Sequence, residues 1–220
     1  ILLPGITTYV GADIAAGMLA CDFDRREKPC LLIDLGTNGE MAVGNRERIL
    51  VTSTAAGPAF EGGNISCGMG SVPGAISHVE INDAVVGEPG VRLQNSEETK
   101  DSSRSAVQSR VRFQTIGGQP PIGLCGTGVI ETTYELVTVG FVDETGMLEE
   151  DYFEAGFELA RTPEGRPIVF TQKDVREMQL AKSAVRAGLE TLLKRYGITY
   201  EDVERVFLAG GFGYKADLEK

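Results

Sequence analysis

Leu31-Leu32-Ile33-Asp34-Leu35-Gly36-Thr37-Asn38-Gly39-Glu40-Met41 is the stretch on which the reading of this chain turns. An apolar run delivers one carboxylate, Asp34, to a strand end. Gly36, Thr37, Asn38 and Gly39 follow at once, and Met41-Ala42-Val43 resumes as a second strand. The pattern is a strand-turn-strand. With no side chain in the way, the backbone at Gly36 and Gly39 can approach a ligand closely. Asp34 and Thr37 stand beside backbone N–H groups, a set that suits a hydrated metal and a phosphate. Asn38-Gly39 is also a two-residue turn signal, so the segment alone reads equally as an ordinary β-hairpin.

Outward from the hairpin, Arg46-Glu47-Arg48 makes an exposed turn and Ile49 to Thr52 a third strand. Three strands in a row point to a meander, not to βαβ units. Upstream, residues 6–20 are expected to form a short helix with a small-residue face at Ala15-Ala16-Gly17. Downstream, Ala75-Ile76 and Val79 to Ile81 read as strand, as does Val111 to Ile116. Between them, residues 82–110 carry the polar run Asn95 to Arg104 and are expected to be a surface excursion with little to bury.

Gly123-Leu124-Cys125-Gly126-Thr127-Gly128 feeds a helix over 129–137. Free N–H groups and the helix dipole favour an anion there, which makes Gly126 and Thr127 candidate contacts. A helix that merely starts after a tight turn reads the same way. The segment lacks the lysine of a Walker A loop. The clearest helix is Gln172 to Tyr196. Thr171 and Asp174 form its cap, Met178, Ala181, Val185, Leu189 and Leu192 its apolar face, and Gly197 its stop. Glu201 to Glu204 is a short helix and Arg205 to Ala209 a buried strand. The strand ends in Gly210-Gly211-Phe212-Gly213, bare backbone on which a flat or bulky ligand can rest. The glycine spacing is not the dinucleotide fingerprint.

Composition narrows the classes. At 220 residues the chain can build one large domain or two small lobes. A net charge of −11 argues against a nucleic-acid partner. No apolar stretch approaches the roughly 20 residues of a membrane span. Cys21, Cys30, Cys67 and Cys125 are too scattered for a zinc or iron–sulfur motif, so a reduced, cytoplasmic protein is expected. His78 is the single histidine, which excludes a two-histidine metal site. The chain opens on Ile1, and the expectation is a fragment of a longer protein.

Six segments taken together resemble one family: Val10 to Ile14, Ile33 to Glu40, Ser53 to Gly63, Gly123 to Gly128, Asp174 to Lys182 and Leu208 to Gly213. They are similar to the C-terminal ATPase region of the reductive activators of corrinoid proteins. That region belongs to the actin-like (ASKHA) ATPase superfamily of acetate and sugar kinases, Hsp70 chaperones and actin. The resemblance implies an α/β, ribonuclease-H-like fold, a mixed sheet flanked by helices, in its C-terminal half. It implies a single lobe over residues 1–220, with its first phosphate loop upstream of Ile1. The activity it implies is the return of an oxidised Co(II) corrinoid protein to Co(I), driven by ATP with Mg²⁺. The electrons would come from a [2Fe–2S] cluster in a separate N-terminal domain that this chain does not contain.

By the same resemblance, Asp34 orients hydrated Mg²⁺ or the attacking water. Gly36, Thr37, Asn38 and Gly39 meet phosphates, with Gly126 and Thr127 as further contacts. Gly210, Gly211 and Phe212 lie against adenosine. Two alternatives stand beside this reading. One is a small-molecule kinase of the same superfamily, consuming ATP only with an acceptor. The other is a non-catalytic module that docks a partner or forms a homodimer through its glycine-rich 53–74 surface.

Overall fold

The computed structural model describes Leu3, Gly5–Asn82 and Arg110–Gly210. Nearly all of the expected polar excursion, and the candidate residues Gly211 and Phe212, lie outside the described residues. In chain order the elements begin with α1 (Ala12–Ala20), β1 (Cys30–Leu35), β2 (Gly39–Gly44), β3 (Ile49–Thr54), β4 (Ala75–Ile81), β5 (Val111–Thr115) and β6 (Gly123–Leu124). They continue with α2 (Gly126–Thr138), α3 (Glu150–Phe153), β7 (Phe157–Arg161), β8 (Pro167–Phe170), α4 (Gln172–Tyr196) and β9 (Arg205–Ala209). The chain divides into two compact units, 1–61 with 179–219, and 62–178. Among the described residues no helix is long and apolar enough to cross a membrane.

The first unit is built on a four-stranded sheet of order β3-β2-β1-β9. β1, β2 and β3 form the expected antiparallel meander, and β9 returns parallel to β1. A parallel neighbour needs a long crossover, which here includes the rest of the chain and α4. Successive β1 side chains serve opposite faces. Cys30 and Leu32 join Val10, Ile14, Phe23 and Ala42 in one apolar cluster. Leu31 and Ile33 join Met41, Val43, Leu192 and Leu193 in the other. A strand buried on both faces reads as the unbroken apolar run seen at 31–33.

α4 begins and ends where the sequence spacing places it. The Thr171 N–H and hydroxyl each donate to Asp174 Oδ2 at 2.8 Å. Gly197, at φ +89°, closes it. Midway along, a Cβ on Gly188 would press into Thr54 and stand 2.8 Å from Met41 Cε. The helix therefore lies against the sheet at a distance that only glycine permits.

Two expectations need correction. The helix expected from residue 6 starts at Ala12, because Thr7 and Val10 form a β-bridge and Gly11 is extended. Thr7-Thr8-Tyr9-Val10 is a β-branched and aromatic run that resists helix. β9, expected to be buried, is not. Val206 is 57% and Leu208 40% exposed, while Phe207 and Ala209 pack against the α1-side cluster. Among the described residues β9 is the last strand of this sheet, and its Val206 and Leu208 do not join the cluster of Leu192 and Leu193 that covers that face of β1 and β2.

The second unit holds a three-stranded sheet, β5-β4-β6, and the antiparallel pair β7-β8. β6 is short: it meets β4 at Ala75 and Ile76, and its Leu124 also bridges to Gly68. Farther along that edge, carboxylates take the place of a strand. The Val79 N–H donates to Glu131 Oε2 at 3.0 Å and the Ile81 N–H to Glu135 Oε2 at 2.9 Å. Glu131 and Glu135 are one helical turn apart on α2, matching the two-residue repeat of strand N–H groups. His78 Nδ1 also lies 2.7 Å from Glu131 Oε2. Capping an open edge in this way blocks stray strand pairing.

Candidate functional site

Strand register decides what surrounds Asp34. The tight turn after β1 sets Asp34 directly opposite Glu40 of β2 and beside Ala209 of β9. By alternation Asp34 follows Cys30 and Leu32 onto the α1 face. There the first turn of α1 supplies Asp13, whose Oδ1 accepts the Ile14 N–H at 2.9 Å. Gly11 makes room, since a Cβ there would meet Asp13 Oδ1 at 2.7 Å.

Three carboxyl groups thus crowd together. Burial, and then the charge of Asp13, hold the Asp34 carboxyl above its ordinary pKa. Burial likewise raises Glu40, with the charge of Asp13, a hydrogen bond to it and the charge of Asp34 adding to the effect. A backbone hydrogen bond from Gly11 acts in the opposite sense on Glu40. Like charges directly across a strand pair cost stability, and a proton or a cation relieves them.

The turn itself is short and internally bonded. The Gly36 N–H donates to Asn38 O at 3.1 Å. The Thr37 hydroxyl lies 2.7 Å from Glu61 Oε2. Thr37 and Asn38 are exposed, so the backbone between them faces solvent. Gly39 differs from its neighbours. It is buried, its carbonyl accepts the Thr54 hydroxyl at 3.2 Å, and a Cβ there would stand 2.8 Å from Thr54 Oγ1. Its missing side chain thus serves packing. A cavity of about 490 Å³ opens beside the turn, lined in part by Thr8, Gly11, Asn38, Glu40, Ser53 and Thr54.

β9 ends at the same place. Gly210 takes φ +91°, and a Cβ on it would stand 2.7 Å from Asp34 Oδ1 and 2.8 Å from the Leu35 carbonyl. The structure therefore brings Asp34, the 36–39 turn and Gly210 to one edge of one sheet. Gly126 and Thr127 open α2 in the second unit. Gly126 is buried, and Thr127 Oγ1 sits 3.2 Å from Cys125 Sγ. Asp13, Glu40 and Glu61 are the neighbours that sequence reasoning did not assign to the site. The sequence signal did not point to Glu40: a two-residue Asn38-Gly39 turn would set Asp34 opposite Val43, whereas Leu35 pairs with Gly39 across a three-residue loop, 36–38, and it is this register that brings Glu40 opposite Asp34.

Among the described residues no group of three or more His, Cys, Asp or Glu side chains forms a direct metal cage. The oxygen donors at Asp34, Glu40 and Asp13 are of the hard type that suits Mg²⁺, an ion that keeps much of its water.

A family model described as the C-terminal domain of RACo, the ASKHA domain, matches residues 28–220. The corrinoid activation enzyme RamQ of Eubacterium limosum is 32% identical over 235 residues, covering 98% of this chain and 35% of that protein. The Methanosarcina barkeri protein named [Co(II) methylated amine-specific corrinoid protein] reductase is 34% identical over 224 residues, covering 100% of this chain and 38% of its own length. A solved structure named as a reductive activator for corrinoid, iron-sulfur protein matches with a TM-score of 0.79 and 33% identity, over 96% of this chain and 32% of that one. The chain thus spans about a third of the length of these relatives. With its actin-like α/β architecture and a match over residues 28–220, the chain belongs to the family of RACo C-terminal ASKHA domains.

Proposed function

We propose that this chain is the nucleotide-binding part of an ATP-dependent activator that returns a corrinoid protein from Co(II) to Co(I). The observation that carries the reading is the meeting of Asp34, the 36–38 turn and Gly210 at one sheet edge. Two relatives are named for corrinoid activation or reduction, which favours this role over that of a small-molecule kinase.

In this proposal the Asp34 carboxylate, with Glu40 and Asp13 behind it, holds the waters of Mg²⁺ and orients the attacking water. Bound there, Mg²⁺ supplies charge neutralisation for the phosphates. The backbone at Gly36, Thr37 and Asn38 faces the phosphate chain. Gly210 meets the adenosine, and the resemblance adds Gly211 and Phe212, which lie outside the described residues. Within the second unit, Gly126 and Thr127 at the start of α2 are a separate candidate for an anion. These residues position and neutralise, which is most of what phosphoryl transfer asks of a protein. The electron that reduces Co(II) comes from a [2Fe–2S] cluster in a separate N-terminal domain, and the corrinoid protein is the partner and substrate.

Calorimetric titration of Mg-ATP tests the reading, followed by spectroscopic assay of Co(II)-to-Co(I) conversion in a corrinoid protein. Binding by the wild type and its loss in Asp34→Asn is the expected pair of results. A wild type that binds no Mg-ATP removes the nucleotide site. A wild type that binds it, yet leaves every corrinoid protein in Co(II), removes the corrinoid role.

A further inference from the structure

We propose that Glu61 is a positioning residue of the 36–38 turn. Through its bond to Thr37 it makes the site accept nucleotide accompanied by a divalent cation and reject metal-free nucleotide. The inference rests on the nucleotide reading given above.

A threonine hydroxyl has one proton and two lone pairs. In this structure the Thr37 hydroxyl faces Glu61 Oε2 at 2.7 Å, and an ionised carboxylate can only accept. The Thr37 proton is therefore spent on Glu61, and Oγ1 turns lone pairs to its other side. Lone pairs suit a cation or its waters. A phosphate oxygen, itself an acceptor, finds no donor at that hydroxyl.

Glu61 is held where it can do this. It ends a short 3-10 turn, Pro58–Glu61, whose Ala59 and Phe60 are buried. Its second oxygen, Oε1, lies 3.7 Å from the position a Gly36 Cβ would take, so both oxygens bear on the turn.

Charge works in the same direction. Glu61 adds a fourth carboxyl to those of Asp13, Asp34 and Glu40 around the loop. Among the described residues no lysine or arginine lines the adjacent cavity. A polyphosphate entering without a cation meets like charge, and one entering with a cation meets complementary charge. Glu61 thus acts on selectivity twice, by its own charge and by the orientation it imposes on Thr37.

Glu61→Gln separates charge from shape, because the amide oxygen can still accept the Thr37 proton. Affinity for ATP is measured by calorimetry with excess Mg²⁺ and again in EDTA, for the wild type, Glu61→Gln and Thr37→Val. The expected result is a split in sign. Glu61→Gln binds Mg-ATP about fivefold more weakly and metal-free ATP about fivefold more tightly. Thr37→Val weakens Mg-ATP and, with the lone pairs gone, binds metal-free ATP more tightly, by less than Glu61→Gln does. If Glu61→Gln lowers both affinities together, Glu61 merely supports the fold and the proposal is overturned. Unchanged affinities in both arms overturn it as well, and mark Glu61 as a surface partner. A wild type that binds neither form of ATP brings down the nucleotide reading itself, an outcome distinct from the other two.

Discussion

Asp34 and residue 210 share a space that admits only one side chain: a Cβ on residue 210 would stand 2.7 Å from Asp34 Oδ1. The backbone of Gly210 also needs φ +91°, a conformation that L side chains rarely adopt. Gly210→Ala therefore combines strain with a clash against the carboxylate. It is expected to cost about 1–3 kcal/mol of stability and to weaken Mg-ATP binding. Urea unfolding and calorimetry check the two parts. An alanine variant as stable as the wild type, with unchanged affinity, removes Gly210 from the site.

Asp34→Asn trades activity against stability. A carboxyl whose pKa is higher folded than unfolded stabilises fully below the unfolded pKa and loses that contribution as pH rises through the folded pKa. Asp34 and Glu40 are both raised. The crowded pair therefore costs stability as pH climbs from about 4 toward neutrality. Removing the Asp34 charge is expected to raise Tm by about 2 °C at pH 7, and by less at pH 4.5. Mg-ATP hydrolysis should fall about 100-fold or more. Thermal melts at both pH values decide the matter; a lower Tm at pH 7 contradicts the electrostatic account.

Gly188 lets α4 rest on β2 and β3. A valine there presses into Thr54 and Met41 and adds a β-branch to a helix. The expected loss for Gly188→Val is about 2–3 kcal/mol in chemical denaturation. Gly188→Ala loses less, because alanine regains about 1 kcal/mol of helix propensity. If valine is tolerated as well as alanine, the close approach does not govern the packing.

Asp174 is fully buried and accepts four hydrogen bonds, from the backbone and hydroxyl of Ser66 and from the backbone and hydroxyl of Thr171. Asp174→Ala strands the two amides and leaves the Ser66 and Thr171 hydroxyls only each other, 3.2 Å apart, and is expected to cost about 3 kcal/mol. Asp174→Asn keeps one acceptor oxygen and should lose less. Hydrogen exchange at the Ser66 and Thr171 amides gives the local readout. Protection unchanged in the alanine variant would mean that other acceptors serve them.

Much of this architecture is legible in the chain because local signals agree with tertiary ones. Thr171, Asp174 and Gly197 bracket α4, and the glycine-rich 36–39 stretch marks the hairpin, though its register follows from a three-residue loop, 36–38, and not from a two-residue Asn38-Gly39 turn. The errors arise where local pattern meets sheet position. Val206 to Ala209 is apolar enough for a core strand, yet in the last described strand of the sheet two of its side chains stay exposed. Residues 6–11 look helical only by continuity with the true helix that follows, against the β-branched run Thr7 to Val10. In the candidate site, the proposed role of Asp34 rests on a carboxylate that ends an apolar run. Asp13 and Glu61 come from distant segments, and only the folded chain sets them beside the turn.

The alternation of β1 between two apolar layers gives the edge that carries Asp34 a parity. Inserting one residue between Cys30 and Asp34 would turn the carboxyl toward the layer of Met41 and Leu192, where a charge is buried among hydrocarbon. Inserting two would restore the correct side but carry the carboxyl about 6.8 Å along the sheet, away from Asp13 and Gly210. Neither odd nor even changes in length preserve the constellation. The hairpin can vary in composition around Asp34, but the count of residues leading up to it is locked.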